Sequence, residues 1–419
     1  MRPSLIVLLF AIVPLGGLFA EESEAHRAAV EHFRKTHFSG LSHGRIALGH
    51  VGLHVSMTEE DWRHLRNVEG LTELWLSLPD FRDEDLVHLK GLKELESLDL
   101  HSTSVRGPGL SHLQALPKLT RLGLSRVTDD DGLSHVAELM ELTELRVPAK
   151  GVTDAGMVHV ARLTSLETLD LGGPAIGAPG LAALAPLQKL RKLTLGTGVG
   201  ETLLIDAAGI EHIARLTALE TIYLEHVAVE DLGPLQELPK LRRIMLQGGS
   251  IDEGGLDDLH AFPALQELSI WYTASIGGKE IAQIARAKGL ELFELPGWSG
   301  PGAELAPLAK LQNLKRLNLD RAKNADAAAV HLAKIDSLRD LRLQLSDLSD
   351  AGLVLLARLP NLEKLDIDRT YVTDASVDAI LQMKSLRSLD PVQRGMTQKG
   401  FDRLRAEAPT LDVAIDAPP

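Results

Sequence analysis

The chain has 16 histidines and no cysteine, so imidazole is the first group to weigh for chemistry. Eight histidines (His64, His88, His112, His135, His159, His212, His260 and His331) recur at nearly one place in a repeating pattern. Imidazole is the commonest metal ligand and titrates near neutral pH, so the series could form a metal ladder or a pH sensor. Most of these residues directly precede a Leu, Ile or Val of an apolar stripe. Helices in neighbouring units pack about 8–10 Å apart, too far for successive rings to share an ion easily. A partly exposed outer position on each helix is the reading we carry forward. His50 and His54 are four apart, but they flank a strand-like run, where four residues span about 13 Å.

Other groups suggest chemistry and then lose it. Gly297-Trp298-Ser299-Gly300-Pro301 has the start of a nucleophile elbow, with Pro301 in place of its last glycine and no hydrolase-like elements around it. Gly196, Gly198 and Gly200 lack the spacing of a dinucleotide-binding loop. Asp366 and Asp368 could hold a cation, but their alternation within a strand already accounts for them. No cofactor or metal is expected, and no enzyme.

The elements that would have to position these groups form one repeating series. The pattern Leu-x-x-Leu-x-Leu returns about every 24 residues, as in Leu95-x-x-Leu98-x-Leu100, Leu166-x-x-Leu169-x-Leu171 and Leu314-x-x-Leu317-x-Leu319. Taking the first leucine as marker gives sixteen copies from Leu48 to Leu411. A fixed period of this length means a stack of like units rather than one closed core. Leu-x-Leu alternates with period two and predicts a strand. About ten residues later apolar residues fall at i, i+3 and i+6, as in Leu86, Leu89 and Leu92 or Met157, Val160 and Leu163, which predicts a short helix. The joint between the halves often reads as Val152-Thr153-Asp154-Ala155-Gly156-Met157 does. The Thr can cap the helix, and the Asp suits its positive end. One strand and one helix cannot bury both apolar faces alone, and stacked neighbours bury them. The interval from Leu190 to Leu219 is longer by five residues, around Gly196–Leu204, and predicts a loop there.

On these copies the chain resembles leucine-rich repeat proteins of the ribonuclease-inhibitor-like type. It is most similar to bacterial ones with a Val-Thr-Asp-Ala-Gly-Leu joint, which are similar to the repeats of F-box proteins. The resemblance spans roughly residues 45–415 and implies an α/β fold: a right-handed solenoid or horseshoe with a concave parallel sheet and convex helices. Two departures stand out. The inward Asn of many such repeats is replaced by Thr103, Thr273, Thr370, Pro79 or Pro174, so no Asn ladder is expected. No F-box precedes the array, so a ubiquitin-ligase role does not carry over.

Residues 1–20 read as a secretory signal peptide: a basic start at Arg2, an apolar run from Leu5 to Leu15, and Gly16-Gly17-Leu18-Phe19-Ala20 before the acidic Glu21, with Leu18 large for a cleavage site. The run is short for a membrane span, so cleavage and export to the periplasm or outside the cell are expected, with no stable membrane insertion afterwards. Residues 21–44 read as an N-terminal capping helix, 45–415 as the array with its C-terminal cap, and 416–419 as a frayed tail. The formal net charge is −14, which argues against nucleic acid as a partner.

Binding is expected on the concave face, where the residue between the two leucines of each strand and the one after the second leucine point outward. Tyr223, Met245 and Trp271 fall there on successive strands, beside the irregular interval, and aromatic residues are favoured contacts. Trp75 is a further outward aromatic, and Arg342 with Asp366 forms a mixed-charge patch. The sequence therefore predicts a non-enzymatic scaffold that binds a protein or peptide. The alternatives are a cell-envelope glycan stacked on Trp75, Tyr223 and Trp271, or a structural spacer without a ligand.

Overall fold

The computed structural model describes residues 23–36, 39–42, 45–49, 57–173, 176–196, 202–272, 276–390 and 395–413. Residues 1–20, His50, His54, Gly198, Gly200, Pro174, Thr273 and the 416–419 tail lie outside the described residues. The leucine period folds as a solenoid with a 17-stranded sheet. At its N-terminal edge Ser39–Ser42 pairs antiparallel with Arg45–Gly49. From there each described strand runs parallel to the one before it, through Glu73–Ser77, Ser97–Asp99 and their successors to Asp412–Val413.

The register is that of the repeat. Trp75 lies opposite Asp99, then Gly123, Arg146, Asp170, Thr194 and Tyr223 follow across successive strands. The same column continues through Met245, Ser269, Glu294, Asn318, Arg342, Asp366 and Asp390. One coil departs from the sequence reading. Leu48, the first marker, pairs with Leu76 rather than with Leu71, and Ala47 stands opposite Trp75. The first strand is thus Arg45–Gly49, because its hairpin with Ser39–Ser42 sets the register and a single-residue slip would invert its faces.

The inward leucines merge with the helix stripes into one apolar core running from Ala29 to Leu404. Leu74, Leu98, Leu169, Leu317 and Leu365 are all essentially buried, and burying such a side chain contributes about 1.5–3 kcal/mol. Trp62 and Trp298 are buried as well, as their repeat positions require. The helix Glu24–Thr36 and the helix Gln398–Glu407 stand at the two ends of the array.

The convex connections are short. After the Asp129, Thr153 and Ser349 caps an α-helix follows, in Asp130–Val136, Asp154–Val160 and Asp350–Leu356. Where it carries Gly-Pro or an internal proline, the turn tightens to 3-10 geometry, as in Pro108–Ala115 and Gly302–Lys310. The Thr153 hydroxyl caps its own helix by accepting from the Ala155 N–H at 3.2 Å, as the sequence predicts. It also donates to Asp130 Oδ2 of the preceding coil at 2.6 Å, while the Thr153 N–H donates to Asp130 Oδ1 at 2.8 Å. Asp326 meets Ser349, Asp350 meets Thr373 and Asp374 meets Thr397 in the same way. The joint's Asp therefore does more than suit its own helix end: it accepts from the next coil's N-terminus. Gly156 is required by this lock, since a Cβ there would lie 2.2 Å from Asp130 Oδ1.

The long interval holds more than a loop. Leu203–Ile205, Val227–Val229 and Ser250–Ile251 form a second, three-stranded parallel sheet. Leu203, Ile205, Val227 and Val229 are buried, while Leu204 between the first two is exposed. The period-two alternation of a strand is present there, and the leucine marker, fixed to the main sheet, does not register it. Gly249 makes the turn into the last of these strands at φ +71°, where a Cβ would lie 2.1 Å from the Val227 carbonyl oxygen. Among the described residues no helix is long and apolar enough to cross a membrane.

Candidate binding site on the concave sheet

Strand alternation presents three outward columns on the concave face, one more than the sequence reading used. The column missed runs through Glu73, Arg121, Glu144, Arg243, Glu267 and Arg316, two residues before the middle column on each strand. It is knitted by charge. Arg121 donates to Glu73 at 3.0 Å across an intervening strand. Glu267 accepts from Arg316 at 3.0 Å and also pairs with Arg243. Opposite charges recurring at multiples of the repeat, with the parity of the middle column, are the sequence signal that identifies it.

The middle column is not uniformly open. Ser269 and Asn318 are buried within it, whereas the indole of Trp75 is 53% exposed. Tyr223, Met245 and Trp271 are half-buried. Tyr223 donates its hydroxyl to the Gln247 side chain, and Trp271 Nε1 donates to Glu294 Oε2 at 3.1 Å. Ser269 Oγ donates to the same Glu294 oxygen at 2.7 Å. The aromatic patch is thus held edge-on by polar neighbours one strand away. Burial, with the nearby charges of Glu225 and Asp170, pushes the Tyr223 phenol up to about 12.

Arg342 and Asp366 are brought together, as their positions suggest. Arg342 lies between Asp320 at 2.9 Å and Asp366 at 3.6 Å, so much of its charge is met within the fold. Burial raises Asp320 and Asp366 above the usual carboxylate range, against the pull of Arg342 and of backbone N–H donors. Asp368 is buried and accepts from Gln344 Nε2 at 3.2 Å.

A hollow of about 890 Å³ opens on the N-terminal half of this face. Its floor is the middle column from Trp75 to Thr194, with Glu225 at the far end. Arg146 spans the floor, 3.7 Å from Asp99 and 3.5 Å from Asp170. One wall, at the C-terminal ends of the strands, carries His101, Arg126 and Lys150. The Asp99 carboxylate accepts the His101 N–H at 2.8 Å, and Arg126 Nε donates to His101 Nε2 at 3.3 Å. A half-open cavity of this volume with convergent polar groups and one exposed aromatic ring has the make-up of a ligand site.

Most of the convex histidines are partly buried, and His260 is exposed. One of them gains a partner that the repeat does not supply. His32, on the capping helix, stacks on His64 with ring centroids 4.2 Å apart and planes 17° from parallel. Donor atoms of His32, Glu60 and His64 lie within 4.8 Å of one another, the set among the described residues that could hold a metal ion. Near-parallel rings aim their in-plane lone pairs side by side rather than at a common point. His32 Nε2 is also held by the buried Asp61 at 2.6 Å. The stack therefore fastens the cap to the first helix of the array. Ser299 of the elbow-like sequence sits exposed next to the buried Trp298, in an irregular segment.

A model described as a leucine-rich repeat region matches residues 108–404, more than half of the chain. Among solved structures the chain is similar to an internalin from Listeria monocytogenes, at 19% identity and a TM-score of 0.51, with 88% of this chain and 94% of that one covered. A leucine-rich repeat protein from Leptospira interrogans aligns at 16% identity and a TM-score of 0.41, covering 81% of this chain and 93% of that one. No functionally curated protein matches the sequence. The internalin likeness extends the solenoid beyond the matched repeats and speaks to the fold alone.

Proposed function

Because the chain belongs to the leucine-rich repeat family, we propose that it is an exported, non-catalytic scaffold that holds a protein or peptide on its concave sheet. The observation that carries this reading is the hollow of about 890 Å³ beneath the exposed Trp75, on a face whose residues are released from the core. A scaffold of stacked coils fixes such a surface rigidly, which lowers the ordering cost of binding. Export rests on the basic and apolar pattern of residues 1–20.

The test is site-specific photo-crosslinking in the producing cell, with the reactive group at position 75 and, as control, at the exposed convex Val158. Discrete protein adducts at 75 and none at 158 support the reading. Equal adducts at both positions, or none at 75, remove it. The mass of the secreted chain tests export: it should lack about the first twenty residues.

A glycan is the second reading, favoured by the open indole face of Trp75 beside charged side chains of both signs. A sugar ring would stack on the indole and spread its hydroxyls over the floor.

A further inference from the structure

The hollow carries one unmatched charge of each sign, at separate places. Arg126 is exposed, its Nε meets only the His101 imidazole, and among the described residues no carboxylate pairs with it. Glu225, at the other end, has no basic partner among the described residues. Between them Arg146 is shared by Asp99 and Asp170, so the middle of the floor is largely matched. The lining as a whole is balanced, with Arg126, Arg146 and Lys150 against Asp99, Asp170 and Glu225, in a chain of net charge −14.

The register sets the spacing. The Arg121–Gly123 strand, whose coil carries Arg126, and the Thr221–Glu225 strand are four steps apart in the sheet. At about 4.8 Å per step that is roughly 19 Å. Trp75 lies two steps before Gly123, roughly 10 Å further out. An extended chain advances about 3.3 Å per residue, so these three points match side chains about three and then about six residues apart.

We propose that the hollow takes an extended peptide of about ten residues, with an apolar side chain on Trp75, a carboxylate at Arg126 and a cationic side chain at Glu225. This rests on the scaffold reading above and names the chemistry of its ligand. A guanidinium fork recognises a carboxylate by paired N–H donors. The exposed indole offers an apolar platform at one end. A neutral sugar would leave both unmatched charges without a partner, whereas a chain bearing both signs in this order satisfies them together.

The experiment is calorimetric titration of the full-length secreted chain with defined decapeptides. One has Phe at position 1, Glu at 4 and Lys at 10 with Ser and Gly elsewhere; its partner exchanges the Glu and the Lys. Both are also made in reversed sequence, and a neutral hexasaccharide is titrated alongside. In one chain direction the Phe-Glu-Lys order should bind at least about tenfold more tightly than its charge-swapped partner, with a preference that weakens as salt rises. The double reversal Arg126→Glu with Glu225→Lys should invert the preference. Arg126→Gln with Glu225→Gln should abolish it, and keeps the test alive if the reversal does not fold.

Equal affinity for the two charge orders, a preference unmoved by both double variants, or no binding of any peptide at millimolar concentration overturns the proposal. If the peptides bind equally and Tyr223→Ala with Trp271→Ala weakens them, the scaffold reading survives and the assignment to this hollow falls. Binding of the hexasaccharide alone removes both.

Discussion

Thr153 and Asp130, 23 residues apart, are joined by two hydrogen bonds: the Thr153 N–H and hydroxyl both donate to the Asp130 carboxylate, at 2.8 and 2.6 Å. The Thr therefore serves two coils at once, capping its own helix and receiving its predecessor. Gly156, one turn on, lets the carboxylate come that close.

Removing the acceptor should cost stability. Asp130→Ala leaves a part-buried N–H and hydroxyl without their partner, a loss of about 1–3 kcal/mol. Gly156→Ala places a Cβ against Asp130 Oδ1, at 2.2 Å, and should cost a similar amount in the native chain. In the Asp130→Ala background the same substitution loses that clash and gains helix propensity, so its cost should vanish or reverse. Urea midpoints of the four chains measure the coupling; strict additivity would show that the carboxylate does not demand the glycine.

Acid should act in opposite senses on the two faces. Burial opposes ionisation of Asp350, yet hydrogen bonds from Ser376 and from the Thr373 N–H and hydroxyl hold it below the usual carboxylate range. A depressed folded value means stability that is complete above the unfolded value of about 3.9, and lost as pH falls through that value towards the folded one. Asp350→Asn should therefore lower the melting temperature at pH 7, with the gap to the native chain closing in strong acid. Asp366 is raised by burial, so its ionised form costs the fold at neutral pH, and that cost disappears as pH falls through its folded value. Asp366→Asn, whose amide oxygen can still accept the Asp368 N–H, should raise the neutral-pH melting temperature slightly. Parallel pH curves for both variants would contradict this assignment.

Tyr223 should be the last phenol to ionise. The chain has three tyrosines, of which Tyr272 and Tyr371 are exposed. Burial, then the charges of Glu225 and Asp170, push Tyr223 to about 12. Tyrosinate absorbance followed to high pH should show a late step that Tyr223→Phe abolishes and Glu225→Gln moves to lower pH. A late step surviving in Tyr223→Phe would place it elsewhere.

Trp75 should dominate quenching by acrylamide. Of the four tryptophans, Trp62 and Trp298 are buried, Trp271 is half-buried and Trp75 is open. Trp75→Ala should remove most of the accessible emission and change the unfolding free energy by less than about 0.5 kcal/mol, as for a surface position away from caps and core. A large loss of stability would mean that the indole packs in the fold instead of facing the hollow.

Much of the architecture was legible in the residues. Spacing alone placed Leu98 and Leu365 inward, because each coil repeats the same local demand. Trp75, Tyr223, Met245, Arg342 and Asp366 were placed between the leucines of their strands and stand in one column of the sheet, whereas the first coil is registered differently. The candidate site was less legible. Exposure along that column depends on neighbours: Ser269 is covered while Trp75 is open, although both occupy the same repeat position. The ion pairs of Arg121 and Arg316 reach across an intervening strand, 48 and 49 residues along the chain. The first strand and the second sheet escaped because both follow pairings that the leucine marker does not report.

The sequence by itself determined that this chain is a stack of strand-and-helix units, and which side of each strand faces the core. Period two and period 24 act within one coil and between identical neighbours, so no distant information is needed. Only the tertiary structure decided where that face is open. The hollow at Trp75, the polar ties on Tyr223 and Trp271, and the unmatched charges of Arg126 and Glu225 depend on which unlike side chains meet across coils. Those meetings arise at the variable positions, where the repeat imposes no residue.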